Sequence, residues 1–320
     1  MAAPKPISKS NRSNRSTSDQ FAEDPLRVLR AMQFIARFDL SPAPETLALC
    51  RQIEPEDLPR ERIFEEWKKF LLKGTRCSAG LFFLRDCGWL QYFPEIAALD
   101  GCPQDPEWHP EGDVLTHTAL CLDAYARERT GEEWEDLVVG LAVLCHDFGK
   151  PATTIEEDGR IKSPAHESVG VEPARTFLER LTTQRDLIEQ ILPLVRDHMS
   201  PSHLYKGDAG DGAIRRLARR VDRIDRLVRV VRADRQGMGG RARDMDDCAW
   251  LLERAEALAV IDARPEPLVM GRHLIEMGAT PGVYFKAILE ACYEAQIDGE
   301  FSTLEEGCRM AQKLLAEQKD

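Results

Sequence analysis

Histidines and aspartates recur along this chain in an order that could serve a divalent metal ion. The sharpest pair is His146-Asp147, which closes the apolar run LAVLCHDFGK, with His117 ahead of it and His166, His198 and Asp234 behind it. Neutral imidazoles and carboxylates are what a hard or borderline divalent cation takes from a protein, and such side chains at the inner ends of helices can converge on one ion. Any one histidine alone is more often a buried or surface residue than a ligand, so the reading rests on the combination. His109, in QDPEWHPEGD beside Trp108 and Glu111, reads as internal support for a long loop rather than as chemistry, and His273 reads as structural.

The elements that must position these residues read as helices almost throughout, so the expected fold class is all-α. Residues 1–20 are rich in Ser, Asn, Arg and Lys without periodic apolar residues, the composition of a flexible tail. A first helical bundle is expected over 21–95. It begins with Leu26, Leu29, Phe34 and Phe38 at spacings of three and four, and further helices follow over 44–52, 59–72 and 78–87, with Gly74 and Gly88 as stops. A Pro- and Gly-rich loop over 94–113 marks the passage to a second unit over 96–240, with helices over 114–127, 135–145, 164–181, 185–198 and 212–235. Asp158-Gly159 in TTIEEDGRIKS signals a hairpin. A helical tail domain over 241–320 completes the chain, with helices over 244–261, 283–296 and 303–318; Asp244 is a candidate cap, and Asp244-Met245-Asp246 reads as a solvated helix start.

Composition narrows the function classes. The 320 residues carry 43 basic and 55 acidic side chains, a balance that by itself argues against a nucleic-acid partner. The distribution reopens that possibility, because residues 213–243 hold eleven arginines against Asp222, Asp225 and Asp234. Arg216, Arg219, Arg220, Arg223 and Arg226 could follow an RNA backbone, or could be a solvated face with local ion pairs. No apolar run approaches the roughly 18 residues that span a bilayer and no secretory h-region opens the chain, so no membrane partner and a cytoplasmic location are expected. The nine cysteines never come closer than ten residues, which leaves no CxxC pair for a zinc ribbon or redox motif.

The order His117, His146-Asp147, Asp234 resembles the HD superfamily of metal-dependent phosphohydrolases. That resemblance implies one divalent ion on His117, His146, Asp147 and Asp234. In two-metal members a second ion takes two further histidines, which His166 and His198 match, with His203 as a rival for His198. Two cations about 3.5–4 Å apart clamp phosphoryl oxygens on both sides of an in-line attack. Mn, Ni, Co, Fe or Mg would suit such ligands. Asp147 would be the central catalytic residue, and Lys150, one turn past it, a phosphate contact.

A second resemblance covers nearly all of 21–305. EDPLRVLRAMQFIARF and LPRERIFEEWKKFLL are similar to the motif and neck of bacterial tRNA nucleotidyltransferases of the CCA-adding and poly(A) polymerase family, and WHPEGDVLTHT, LCHDFGK and GATPGVYFKAILEACYEAQIDGEF continue the similarity. It implies that Asp24 and Arg27 meet the edge of a nucleotide base, that RNA or tRNA is a partner, and that an HD domain behind the neck hydrolyses a phosphoester of a nucleotide or RNA end, such as a 2′,3′-cyclic phosphate. Nucleotide addition in that family needs a head with a glycine-rich turn and paired aspartates on a strand, and none precedes Asp24. Nucleotide addition is therefore not expected of this polypeptide alone. Three readings stay open: a chain reduced to its HD function, a noncatalytic tRNA-binding subunit with a separate nucleotidyltransferase head, and a gene product whose true start lies upstream.

Overall fold

A computed structural model describes residues 24–55, 58–238 and 245–317. The expected tail over 1–20 and the candidate cap Asp244 lie outside these residues. The described chain is a helical assembly with one two-stranded hairpin. Its helices are α1 Leu26–Phe38, α2 Pro44–Cys50, α3 Arg60–Lys73, α4 Cys77–Asp86, α5 Pro94–Ala97, α6 Val114–Arg127, α7 Glu133–Cys145 and α8 Lys150–Thr153. After the hairpin, β1 Ile155–Glu157 and β2 Arg160–Lys162, come α9 His166–Val169, α10 Val171–Leu181, α11 Arg185–Asp197, α12 Ser200–Lys206, α13 Asp211–Val221 and α14 Ile224–Gly237. α15 Asp246–Ala257, α16 Gly271–Glu276, α17 Tyr284–Asp298 and α18 Leu304–Glu317 finish the fold.

Helix α7 occupies the centre. Every residue from Asp136 to Cys145 is buried, as an apolar stretch with no polar face requires. α3, α6, α11 and α14 pack around it. The chain leaves α7 directly into His146-Asp147, so this pair emerges in the middle of the assembly rather than at its surface.

Two tight approaches hold the surrounding helices in place. Gly140 on α7 faces the Tyr125 ring of α6, where a Cβ would come within 2.8 Å, and the Tyr125 hydroxyl donates to the Asp136 carbonyl at 2.7 Å. On the other side α14 meets α6 at Gly237, whose missing side chain leaves room for Cys121.

Hydrophobic packing runs unbroken from Leu26 to Val260, and a second cluster spans Val269 to Ala311. Trp67 of α3 links the first helices to the rest: fully buried, it stands edge-on to Phe93 at 5.2 Å and to Phe177 of α10 at 6.0 Å.

Two expected helices are each divided. The 212–235 pattern breaks at Asp222, whose φ of 64° lies in the left-handed region that ends a helix. Amphipathic periodicity does not register one residue of reversed backbone. The 164–181 segment breaks at Gly170, which packs against the Gly149 backbone and separates α9 from α10. The hairpin forms as read, with Asp158 at φ 53° and Gly159 at φ 71°, the pair of positive angles a type I′ turn needs.

Trp67→Ala is expected to cost about 3–5 kcal/mol of unfolding free energy, the scale for emptying a large aromatic site. Because the core is shared, hydrogen exchange should accelerate in α7 and α10 as well as in α3. Acceleration confined to α1–α4 would contradict a continuous core.

Candidate metal centre

Four imidazoles and two carboxylates meet beneath the end of α7, brought by several separate pieces of chain. α6 carries His117, α14 carries Asp234, and the turn after α7 carries His146 and Asp147. His198 follows the last turn of α11, and His166 opens α9. Two backbone features deliver His166. Ala165 adopts a left-handed φ of 57°, and Gly149 lies so near the His166 carbonyl that a Cβ there would overlap it.

The ring nitrogens are oriented by their outer partners. Nδ1 of His146 donates to the Val143 carbonyl at 2.7 Å, that of His166 to Ser163 at 2.8 Å, and that of His198 to Val195 at 2.7 Å. A carbonyl can only accept, so each of these imidazoles carries its proton on Nδ1 and turns Nε2 inward. His117 Nδ1 donates to Glu111 at 2.8 Å, and its Nε2 lies 2.9 Å from Asp234 Oδ1. Asp147 sits among them, with Oδ2 3.2 Å from His146 Nε2 and Oδ1 3.4 Å from His166 Nε2.

This arrangement fits a cation. His166 and His198 face each other Nε2 to Nε2 at 3.2 Å, and two imidazoles in this tautomer leave lone pair against lone pair unless a proton or a cation stands between them. His146 Nε2 and Asp147 Oδ2 are buried without a hydrogen-bond partner, although the Lys150 ammonium makes an ion contact with Asp147 Oδ2 at 2.7 Å. Buried polar groups are normally satisfied, so such orphans need an explanation. Among the described residues, His117, Cys121, His146 and Asp234 form one group with donor atoms within 4.8 Å of one another, and Asp147, His166 and His198 form another.

Electrostatics separate the groups. Burial would raise the carboxyl pKa of Asp147, but His146 and Lys150 more than reverse this and hold it well below the usual range. Asp234 is likewise held low against its burial, by His117. For Glu111 burial is outweighed by hydrogen bonds from His109 and His117, which bring its pKa down to about 2. Burial, reinforced by His146 and His166, lowers His198 to about 4, so its imidazole stays neutral. His117 moves the other way: its burial is overcome by Cys121, Asp234 and Glu111, and it is raised well above the histidine range. Its Nε2 proton therefore lies toward Asp234, where a cation would compete for both groups.

The sequence family described as "HD domain" matches residues 114–233, and all six of these side chains except Asp234 fall within that span. Ahead of it, residues 39–99 match the family described as "Probable RNA and SrmB-binding site of polymerase A". The chain is similar to the multifunctional CCA protein of Halorhodospira halophila, 36% identical over 266 residues covering 78% of this chain and 61% of the relative. It is also similar to that of Xylella fastidiosa, 40% identical over 200 residues covering 60% of this chain and 46% of the relative. The chain thus spans about half to three-fifths of the length of these relatives. A solved complex of a CCA-adding enzyme with CTP shares the fold, with a TM-score of 0.51 at 16% identity, over 95% of this chain and 62% of that one. No helix among the described residues is long and apolar enough to cross a membrane.

Around this centre, other candidates are placed less simply. His198 lies in the centre while its rival His203 is exposed. Lys150 is buried against Asp147 and donates to Gln104 Oε1 at 2.7 Å, yet both line a cavity of about 200 Å³ that opens from the centre past Trp108 and Met199. Asp24, expected at a base edge, pairs with Arg62 of α3 at 3.0 Å.

The candidate arginines are each ion-paired within the chain. Arg216 pairs with Asp298, Arg219 with Glu290 and Glu294 while stacking on Tyr293, and Arg220 with Asp197. Arg223 pairs with Asp225 and Glu135, and Arg226 is buried in a two-pronged bond to Glu135. Helix α17 supplies several of these acids, so Arg216 and Arg219 of α13 pair with the chain's own tail, while Arg216 and Arg220 keep much of their side chains exposed.

Two site residues carry no strong signal in the sequence. Glu111 joins His109 and His117 at 2.8 Å each, and its one mark is its place in WHPEGD. Cys121 lies four residues after His117, one helical turn along the same face.

Glu111 also makes stability depend on pH. Its folded pKa of about 2 lies below its ordinary 4.5, so its stabilisation is present above about pH 4.5 and lost as pH falls toward 2. In chelator-treated protein, Glu111→Gln should lower stability at pH 6 and flatten the decline between pH 5 and pH 2. Denaturant titrations with parallel slopes for both proteins across that window would refute the assignment.

Proposed function

We propose that this protein is a metal-dependent phosphohydrolase acting on a phosphoester of a nucleotide or an RNA end, of the 2′,3′-cyclic phosphodiesterase or phosphatase type. The observation that carries the reading is the inward convergence of four Nε2 atoms on Asp147 and Asp234, with His146 Nε2 buried and unsatisfied, at the base of a cavity. His117, His146, Asp147 and Asp234 would hold one divalent ion, and His166, His198 and Asp147 a second. Mn, Ni, Co, Fe or Mg is the cofactor class. When bound, such ions polarise phosphoryl oxygens and lower the pKa of water.

The chain's own residues do the remaining work. Glu111, Val143, Ser163 and Val195 accept the Nδ1 protons and fix the four rings in the inward tautomer. Lys150 and Gln104 form one wall of the cavity and place an ammonium and an amide beside an anionic substrate. Trp108, half-exposed at the rim with Met199 and Met238 nearby, offers apolar surface to a base.

The match over 39–99 supports RNA as the macromolecular partner, and the resemblance to the CCA-adding family leads us to infer tRNA within that class. The same observations favour a second reading, a tRNA-binding subunit that works with a nucleotidyltransferase head on another chain. Steeply salt-dependent tRNA binding without hydrolysis would select it.

The deciding experiment measures hydrolysis of 2′,3′-cyclic nucleotides and of a generic phosphomonoester with Mn, Ni, Co or Mg added. Activity should require metal and fall at least about a hundredfold in Asp147→Ala, beyond the 10- to 100-fold typical of losing an outer partner. The variant should keep its helical circular dichroism. Undiminished activity in Asp147→Ala would sink the proposal.

A further inference from the structure

Cys121 belongs to the geometry of the centre but to none of the roles assigned above. Its Sγ lies 3.3 Å from His117 Nε2, and the thiol donates a hydrogen bond to the Asp234 carbonyl oxygen at 3.5 Å. With His117, His146 and Asp234 it completes a fully buried group whose donor atoms are mutually within 4.8 Å. The sulfur does not stand alone there. His146 Nε2, 1% exposed and accepting no hydrogen bond, is aimed into the same space. Gly237 packs directly over Cys121, so the thiol has little freedom to turn away. His117 and Cys121 at i and i+4 on one helix present nitrogen and sulfur from a single rigid face.

We propose that Cys121 is a ligand of this centre, and that as a thiolate it biases the first site toward a thiophilic divalent cation, Zn, Co or Fe(II), over Mg. The inference rests on the metal reading of the preceding subsection. Coordination forms a bond from Sγ to the cation and releases the thiol proton to solvent. A thiolate added to the two imidazoles and two carboxylates of that site suits zinc, which accepts all three donor types, whereas sulfur contributes little to the binding of hard, oxygen-seeking Mg. Among the described residues, Cys121 is the only cysteine within such a donor group.

The test loads metal-free protein with Co(II) and records its near-ultraviolet and visible spectra, for the wild type, Cys121→Ala and Cys121→Ser. The wild type should bind cobalt with a thiolate-to-cobalt charge-transfer band. That band should vanish in both variants while the visible bands of bound cobalt persist. Competition titrations should show the preference for Zn over Mg falling at least about tenfold in Cys121→Ala, the lower end of what outer partners alone contribute. Cobalt bound by the wild type without the band, or a band that survives in Cys121→Ala, overturns the inference and leaves the metal reading standing. No cobalt binding at all overturns both. The wild-type spectrum decides the matter even where a variant folds poorly.

Discussion

An ionised carboxylate in the middle of an apolar helical assembly is the constraint on which the rest of this structure depends. Asp147 is 1% exposed, and a buried charge is tolerable only when opposite charge and hydrogen-bond donors surround it. Lys150 supplies charge at 2.7 Å, and three imidazoles approach within 3.7 Å from α6, the end of α7 and the start of α9. His198 completes the ring from α11 through His166. The compensation is incomplete, since His146 Nε2 stays unsatisfied. That residual cost, maintained in a core this well packed, is the signature of a site built for a cation.

The helices are arranged around that demand. α7 is apolar on every side, so it can only be central, and the pair that follows it can only be buried. α6 and α14 must come close enough to bring His117 within hydrogen-bonding reach of Asp234, and the bare backbone at Gly237 permits it. α9 must approach the turn after Asp147, and Gly149 permits that. Asp136, at the other end of α7, accepts from the backbone of Thr130 and Gly131 and pairs with Arg229, tying the start of the central helix to α14. The basic residues of α13 and α14 serve the same end. They join α7, α11 and α17 through ion pairs, which gives a concentration of arginine inside an acidic protein a structural role.

Much of this was legible in the sequence. Helix content and the hairpin turn at Asp158-Gly159 follow from periodicity and turn chemistry, whereas the segment read as a loop over 94–113 opens with a short helix, Pro94–Ala97. Six of the side chains in the centre stand out by type and order. What was not legible has a common cause. The breaks at Asp222 and Gly170 are single-residue backbone events inside an uninterrupted amphipathic pattern. The pairing of Asp24 with Arg62, and of Arg216 and Arg219 with acids of α17, joins residues 38 to 82 positions apart, which no local pattern can register.

By itself the sequence determined which side chains were able to act as ligands and which helix had to be buried, because donor chemistry and apolar periodicity are properties of short segments. Only the tertiary structure decided that His198 and not His203 lies in the centre, and that Glu111 orients His117. It also decided that Cys121 shares the space of His117, His146 and Asp234. These facts depend on how closely helix backbones approach one another. That distance is set by side chains missing at Gly149 and Gly237, on segments far apart in the chain, and it becomes definite only when the whole core packs.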